Sequence, residues 1–256
     1  MKKFYHLFVT RYKRYAFQTM LKQQEGDRKG RPYKFSILNS QFCFLLAAFC
    51  FLPFFAFAQT PDPGCNCIKI DNLCWATCNV ATPGTFAATP TETGWYYQWG
   101  VNVGWSPTNP MTDSNGGITW NSTNPPPGSP PDPDEWLITP CPAGWRLPTQ
   151  SEFADLVTTY LVPGSSTLDR LRSVNGRFFN SGDPTQPLLF LPAAGARSFS
   201  GGALNPVGTY GYYWSSTPNS TTSTSSYCLL FGSTLMNPSG NNDKTYGFTI
   251  RCVAEL

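Results

Sequence analysis

Proline and glycine constrain this chain more than any other feature: 24 of its 256 residues are proline and 22 are glycine. Proline removes a backbone donor and clashes with the preceding helical turn, and glycine costs the most entropy to order. With many Ser, Thr and Asn and only 13% charged residues, the composition predicts a loop-rich extracellular domain without long amphipathic helices. The densest block, Asn124–Asp134 (NPPPGSPPDPD), holds six prolines in eleven residues. It reads as an extended surface loop of polyproline character, with a domain linker as the alternative.

The first 58 residues read as a leader. Phe42–Ala58 (FCFLLAAFCFLPFFAFA) is an apolar run preceded by Lys22, Arg28, Lys29, Arg31 and Lys34, and it closes on Ala56-Phe57-Ala58. That is the small-residue pattern of a signal-peptide cleavage site. Met20 would give a more ordinary start, with residues 1–19 as a start-site extension. The rival reading is an uncleaved anchor, since seventeen residues just span a bilayer. Pro53 and the cleavage site favour removal, and the phenylalanine before Cys50 argues against a lipoprotein box.

Setting the leader aside changes the charge. Ten of the 18 Lys+Arg lie in it but only two of the 15 Asp+Glu, so the remaining 198 residues carry 8 basic and 13 acidic groups, a formal −5. No basic footprint for nucleic acid remains. The only histidine, His6, also lies in the leader. The rest therefore has no Ser-His-Asp or Cys-His site and no imidazole metal ligand. About 198 residues make one domain, residues 59–71 forming a Pro/Cys-rich tail and 72–256 the domain proper.

Export makes disulfides possible. Seven cysteines follow the leader: Cys65, Cys67, Cys74, Cys78, Cys141, Cys228 and Cys252. An odd number leaves at least one thiol over. The first four read C-x-C-x6-C-x3-C, which suits local bridges in an oxidising compartment better than a four-thiolate zinc site.

Along the domain, Asn72–Asn79 reads as a first strand and Trp95–Trp105 (WYYQWGVNVGW) as strand or extended loop on the core. Thr149-Gln150-Ser151-Glu152 is a capping box, with Phe153, Leu156, Val157, Tyr160 and Leu161 on one helical face. Ser166-Thr167-Leu168-Asp169 predicts a second short helix with Leu168 and Leu171 inward. Strands follow at Leu188–Leu191, Tyr210–Trp214, Tyr227–Phe231 and Phe248–Val253. The last alternates Phe248, Ile250 and Cys252 inward against Thr249 and Arg251 outward. Thr217–Ser226 (TPNSTTSTSS) reads as a solvated hairpin tip.

Four motifs occur in order: Cys141–Thr149 (CPAGWRLPT) with Glu152 and Leu156, Leu191–Gly195 (LPAAG), Gly211–Thr217 (GYYWSST) and Gly247–Val253 (GFTIRCV). With Trp75–Val80 (WATCNV) and Tyr97–Gly100 (YQWG) upstream, they resemble the Fibrobacter succinogenes major paralogous domain (FISUMP) family over about 72–255. That family is similar to the C-type-lectin-like domains of exported bacterial proteins. The resemblance implies an α+β fold, loop-rich, with two short helices and a small twisted antiparallel sheet.

It also implies a clasp between the chain's halves. Cys141 precedes the first helix and Cys252 sits on the last strand, and a bridge between them would close a loop of about 110 residues. Cys78 stands where the family often has a basic residue; its pairing is open, with Cys74 as the first candidate. Cys228 has no evident family partner and is the candidate leftover thiol, buried and inert, with an intermolecular bridge as the alternative.

The functional expectation is an exported, secreted or cell-surface, non-enzymatic binding or adhesion module for a protein or glycan ligand. It has no nucleic-acid partner, and it meets a membrane only through the leader if that is uncleaved. Its face would be the Ser/Thr/Asn/Tyr/Gly loops between Ser198 and Tyr246, where tyrosine supplies rigid contact area and Ser, Asn and Gly adaptable hydrogen bonds. The candidate residues are Asn205, Tyr210, Tyr212, Asn219, Ser226, Asn237, Ser239, Asn241 and Asn242. Similar proteins are targets of diversity-generating retroelements, so the resemblance also implies a diversified receptor whose variable positions include most of these together with Cys228. No metal or cofactor is assigned: the Glu-Pro-Asn and Trp-Asn-Asp patterns of calcium-dependent lectins are absent, and Asn241-Asn242-Asp243 reads as a turn. The alternatives are a structural component of a surface or fimbrial assembly and, less favoured, a lectin-fold enzyme using a cysteine pair.

Overall fold

The computed structural model describes residues 66–127, 136, 138–162 and 168–256. The expected leader and cleavage site and most of the proline block lie outside the described residues.

The chain enters as a hairpin of β1 (Cys67–Ile70) and β2 (Leu73–Asn79), in register Cys67↔Ala76. Asp71 makes the turn at φ 53°, a left-handed conformation that aspartate tolerates better than most residues. The strand expected over Asn72–Asn79 is thus the second, not the first. The final strand, β11 (Arg251–Glu255), pairs with the other side of β2, so both ends of the domain share one sheet. Between them lie β3 (Tyr96–Tyr97) paired with β4 (Gly104–Trp105), a sheet of β5 (Asp169–Leu171), β6 (Val174–Phe179) and β7 (Leu189–Pro192), and a sheet of β8 (Gly211–Pro218), β9 (Ser225–Phe231) and β10 (Met236–Asp243) in the order β10-β9-β8. Every pairing within these sheets is antiparallel.

This corrects the expected architecture. Among the described residues there is a single helix, α1 (Gln150–Tyr160), and four small antiparallel sheets, so the domain is predominantly β and not a two-helix α+β fold. The first helix forms for the reason its sequence suggests. Thr149 accepts from the Glu152 N–H while the Glu152 carboxylate takes the Thr149 N–H, and Phe153 and Leu156 are buried. In the second predicted helix, Ser166 and Thr167 lie outside the described residues. From Asp169 onward the chain is β5, turning through Arg172 and Ser173 at positive φ into β6. A two-leucine pattern is too short to distinguish helix from strand, and pairing with Val174–Gly176 decides it.

The β10-β9-β8 sheet carries buried side chains on both faces, while Tyr212, Leu230, Asn237 and Asn242, on the same face as Trp214 and Cys228, are only half-buried. Tyr213, Leu229 and Phe231 point toward Phe153, Leu156 and Trp75 in one apolar cluster. Trp214 and Cys228 point the other way, into a second cluster with Trp99, Trp136, Trp145, Phe248 and Cys252. The period of two along a strand accounts for the division, and burial on both sides accounts for the near-continuous apolar runs GYYW and YCLLF.

Two disulfides staple this arrangement, Cys67–Cys74 within the first hairpin and Cys141–Cys252 between the start of the helical segment and the last strand, with Cα separations of 5.4 and 6.0 Å. Cys74 is therefore bonded to Cys67 and not to Cys78.

Three arginines are buried among the described residues, each donating to backbone or amide oxygens. Arg197 donates to the carbonyls of Ser106, Thr108 and Gly202, and Arg177 to those of Gly232 and Ser233. Arg251 donates to Asn79 Oδ1 at 2.9 Å and to the Ala76 carbonyl at 2.8 Å. Arg251 and Thr249 are both wholly buried, contrary to the outward orientation that strand alternation predicts. Both side chains are instead turned onto acceptors from other segments, the Thr249 hydroxyl donating to the Thr93 carbonyl and Arg251 to Asn79 and Ala76. A five-donor guanidinium suits this work, because one side chain satisfies several loop carbonyls that burial would otherwise leave unpaired.

Candidate functional site

Strand register decides which candidate residues share a surface. Across the β10-β9-β8 sheet, Trp214 faces Cys228 and Cys228 faces Gly240; Tyr212 faces Leu230 and Leu230 faces Asn237; Ser226 faces Asn242. Directly paired residues project to the same side of a sheet. Tyr212, Leu230, Asn237 and Asn242 therefore lie on one face, and Gly240 leaves a position without a side chain between the two asparagines.

Aromatic rings extend this face in series. Tyr210 contacts Tyr212 at 6.1 Å between ring centroids, Tyr212 stacks on Phe248 at 4.8 Å, Phe248 on Tyr246 at 5.5 Å, and Tyr246 meets Phe199 edge-on at 5.2 Å. Phe248 is core, whereas Tyr212 and Tyr246 are half-buried. The two ends are open: Tyr210 is 43% and Phe199 45% exposed. Among the described residues, these two are the only aromatic side chains in the exposed class. That both terminate the same ring series sets it apart from ordinary core packing.

The polar groups here are held with defined functions. Asn242 Nδ2 donates to Cys228 Sγ at 3.2 Å, which leaves its Oδ1 as an acceptor. Asn237 Oδ1 accepts the Ser239 N–H at 2.9 Å, which leaves its amide hydrogens as donors. Burial raises the Tyr212 phenol, reinforced by the neighbouring Tyr210, Cys228 and Tyr246, so it is a neutral hydroxyl at physiological pH. Burial also pushes the Cys228 thiol up to about 12, a little relieved by Asn242. It is a neutral, wholly buried and unbridged thiol.

The other candidates fall elsewhere. Asn205 is exposed on the segment that hydrogen-bonds back to Ala196. Ser239 is exposed and accepts from Gln150 Nε2 at 2.7 Å, beside α1. Asn241 is exposed but pairs with Tyr227, on the opposite face from Asn242. Asn219 and Ser226 are buried: Asn219 Oδ1 closes the turn onto Thr221, and the Ser226 hydroxyl donates to the Thr217 carbonyl. The solvated hairpin tip is correspondingly shorter than expected, with residues 220–224 exposed between buried ends. Asn241, Asn242 and Asp243 belong to β10, not to a turn, and strand alternation places Asn242 on the opposite face from Asn241 and Asp243. Phe199 and Tyr246 were not among the candidate residues. Neither signals itself in the sequence, because the series draws on three separate segments.

Other arrangements have narrower scope. Cys252 is engaged by Cys141, so it forms no reactive pair with Cys228. Among the described residues, no group of three or more His, Cys, Asp or Glu is placed to hold a metal ion. A cavity of about 250 Å³ beside α1 is lined by Asp71, Asp155, Glu152 and Glu255 over Trp75 and Leu156. Two of these carboxylates, Glu152 and Glu255, are paired with Arg146, at 2.7 and 2.6 Å.

Residues 157–253 are similar to a family described only as a domain of unknown function, DUF8237. Neither the curated proteins nor the solved structures contain a match. The matched stretch includes every residue of the aromatic series and of the asparagine-bearing face.

Proposed function

We propose that this protein is an exported, non-enzymatic binding module, secreted or held at the cell surface, whose ligand meets the Tyr212–Asn242 face and its aromatic border. The observation that carries the reading is the ring series, buried at its centre and open at both ends beside two asparagines with spare hydrogen-bonding capacity. Exposed aromatic surface beside polar groups is characteristic of recognition sites. Two disulfides suit an oxidising compartment, in keeping with the leader and with the FISUMP resemblance. The test is to probe glycan and protein arrays with the protein recovered from the exported fraction. At least one ligand should be retained, and Tyr210→Ala with Phe199→Ala should abolish retention. Undiminished retention by that double variant would count against this face.

A further inference from the structure

The cavity of about 250 Å³ between α1 and the first hairpin has a floor and a rim of opposite character. None of its lining residues belongs to the Tyr212–Asn242 face, and its occupancy is independent of that face. The floor is apolar: Ile70, Trp75 and Leu156 are at most 3% exposed. The rim carries the carboxylates of Asp71, Asp155, Glu152 and Glu255, and among the described residues no Lys or Arg lines it. Arg146 engages both oxygens of Glu152 but only Oε1 of Glu255. Four carboxylates against this one guanidinium leave an excess of three negative charges. Asp71 and Asp155 have no cationic partner among the described residues. Both act on the Tyr160 phenol, which donates to Asp71 at 2.5 Å. That bond raises the phenol most, with burial and the charges of Asp71 and Asp155 adding to it.

Trp75 adds a donor from below. It lines the cavity and is 1% exposed. Among the described residues no acceptor bonds its indole N–H, yet this nitrogen is not sealed from solvent as that of Trp136 is. The exposed sliver of Trp75 therefore includes the N–H, and it opens into the cavity. An occupant that brings an acceptor removes the cost of leaving such a donor unmet.

We propose that the cavity holds the amino-terminal residue of a peptide. Its ammonium group sits among the rim carboxylates, the carbonyl oxygen of the same residue accepts from Trp75, and its side chain lies on the Ile70–Leu156 floor. Charge-assisted hydrogen bonds to the carboxylates supply the stronger part of the attraction, and burial of the side chain the rest.

Other cations meet only part of this set. Among the described residues, no group of three or more His, Cys, Asp or Glu is placed to hold a metal ion, and a metal ion takes nothing from an N–H. A polyamine, or a lysine or arginine side chain, brings positive charge but no acceptor beside it for the indole. A free amino acid brings an acceptor, but its carboxylate enters a site already in negative excess.

The experiment follows the Trp75 indole N–H in nitrogen–proton correlation spectra of the exported protein. The probes are alanyl-leucyl-alanine amide and leucyl-alanyl-alanine amide, each with a free and with an acetylated amino terminus, beside spermidine and free leucine. At least one free-amine peptide should shift this resonance saturably, and acetylation should abolish the shift. Asp71→Asn and Asp155→Asn should each weaken binding about tenfold. Both residues are exposed, and asparagine tolerates the left-handed conformation of position 71, so thermal melts of these variants should match the parent. No saturable shift by either free-amine peptide, or equal binding of the acetylated forms, overturns the assignment. Spermidine or leucine binding as tightly as the peptides overturns it too, because the site would then read charge or the amino acid alone. The resonances of Phe199 and Tyr210 should stay in place throughout, so failure here leaves the Tyr212–Asn242 face untouched, and failure of that face leaves this cavity untouched.

Discussion

Asn242 holds its side-chain amide against the sulfur of Cys228, Nδ2 to Sγ at 3.2 Å. This ties the buried, unbridged Cys228 directly to the candidate recognition face. Both side chains project from the same side of the sheet, since Cys228 pairs with Gly240 and Asn242 stands two residues further along β10, and the wholly buried cysteine acts as a fixed acceptor and not as a nucleophile. Its burial raises the thiol to about 12. The native protein should therefore leave Cys228 unmodified by a thiol reagent at neutral and mildly alkaline pH, and denaturant should make it react. The unfolded chain ionises first, so this group's contribution to stability should be intact below the ordinary thiol range and decline as pH rises toward about 12. Rapid labelling of Cys228 in the native state would contradict this.

The Cys141–Cys252 bridge spans a sequence separation of 111. Loop entropy assigns a closure of this size about 4–5 kcal/mol, an upper figure. Replacing both cysteines with serine should lower the free energy of unfolding by a large part of that, read from denaturant titration. Cys67–Cys74, with a separation of 7, should contribute less. A double serine variant at 141 and 252 as stable as the parent would remove the clasp from the account.

Asn79 Oδ1 is a side-chain acceptor for Arg251. Asn79→Ala would remove that acceptor from a wholly buried guanidinium. Hydrogen bonds to charged groups contribute about 1.5–3 kcal/mol, and the variant should lose stability in that range. Asn79→Asp, which restores an acceptor, should recover part of it. Equal stabilities of the alanine variant and the parent would show that Arg251 draws nothing from this contact.

At the start of α1, Thr149→Ala removes half of the capping box and should cost about 1 kcal/mol. Burial raises the Glu152 carboxyl, but the Arg146 hydrogen bonds, the Thr149 N–H and the Arg146 charge together outweigh it, and the group ends below its ordinary value. A carboxyl depressed in the folded state stabilises above its unfolded pKa and loses that contribution as pH falls through the folded one. The stability gap between the parent and Glu152→Gln should accordingly be full at neutral pH and close in acid. A gap independent of pH would contradict the pairing.

Much of this fold is legible in the sequence wherever a local pattern has only one physical outcome. The capping box at Thr149 is such a case, because donor and acceptor are three residues apart and no distant partner is needed. The aromatic run around Trp99 is another, since so many large rings must be buried. Patterns with two outcomes were settled by distant partners. Asp169–Leu171 became a strand because Val174–Gly176 was there to pair with it. Arg251 turned inward because Asn79 and the Ala76 carbonyl, far away in sequence, accept its protons. Cys74 joined Cys67 because a two-residue turn at Asp71 brings those strands into register. The candidate face was only partly legible for the same reason. Tyr210, Tyr212, Asn237 and Asn242 sit in one composition-biased region, but Phe199 and Tyr246 join them only through the stacking of Phe248. Asn219 and Ser226, of the same composition, are turned inward to close their own hairpin.

The most direct measurement of the central claim is hydroxyl-radical footprinting of the protein with and without a saturating ligand taken from the array screen. The account predicts that Phe199, Tyr210, Tyr212 and Tyr246 lose reactivity together, while exposed apolar side chains such as Ile138 and Leu188 are unchanged. Protection that spares these four rings and maps to α1 or to the first hairpin would place recognition elsewhere and contradict it.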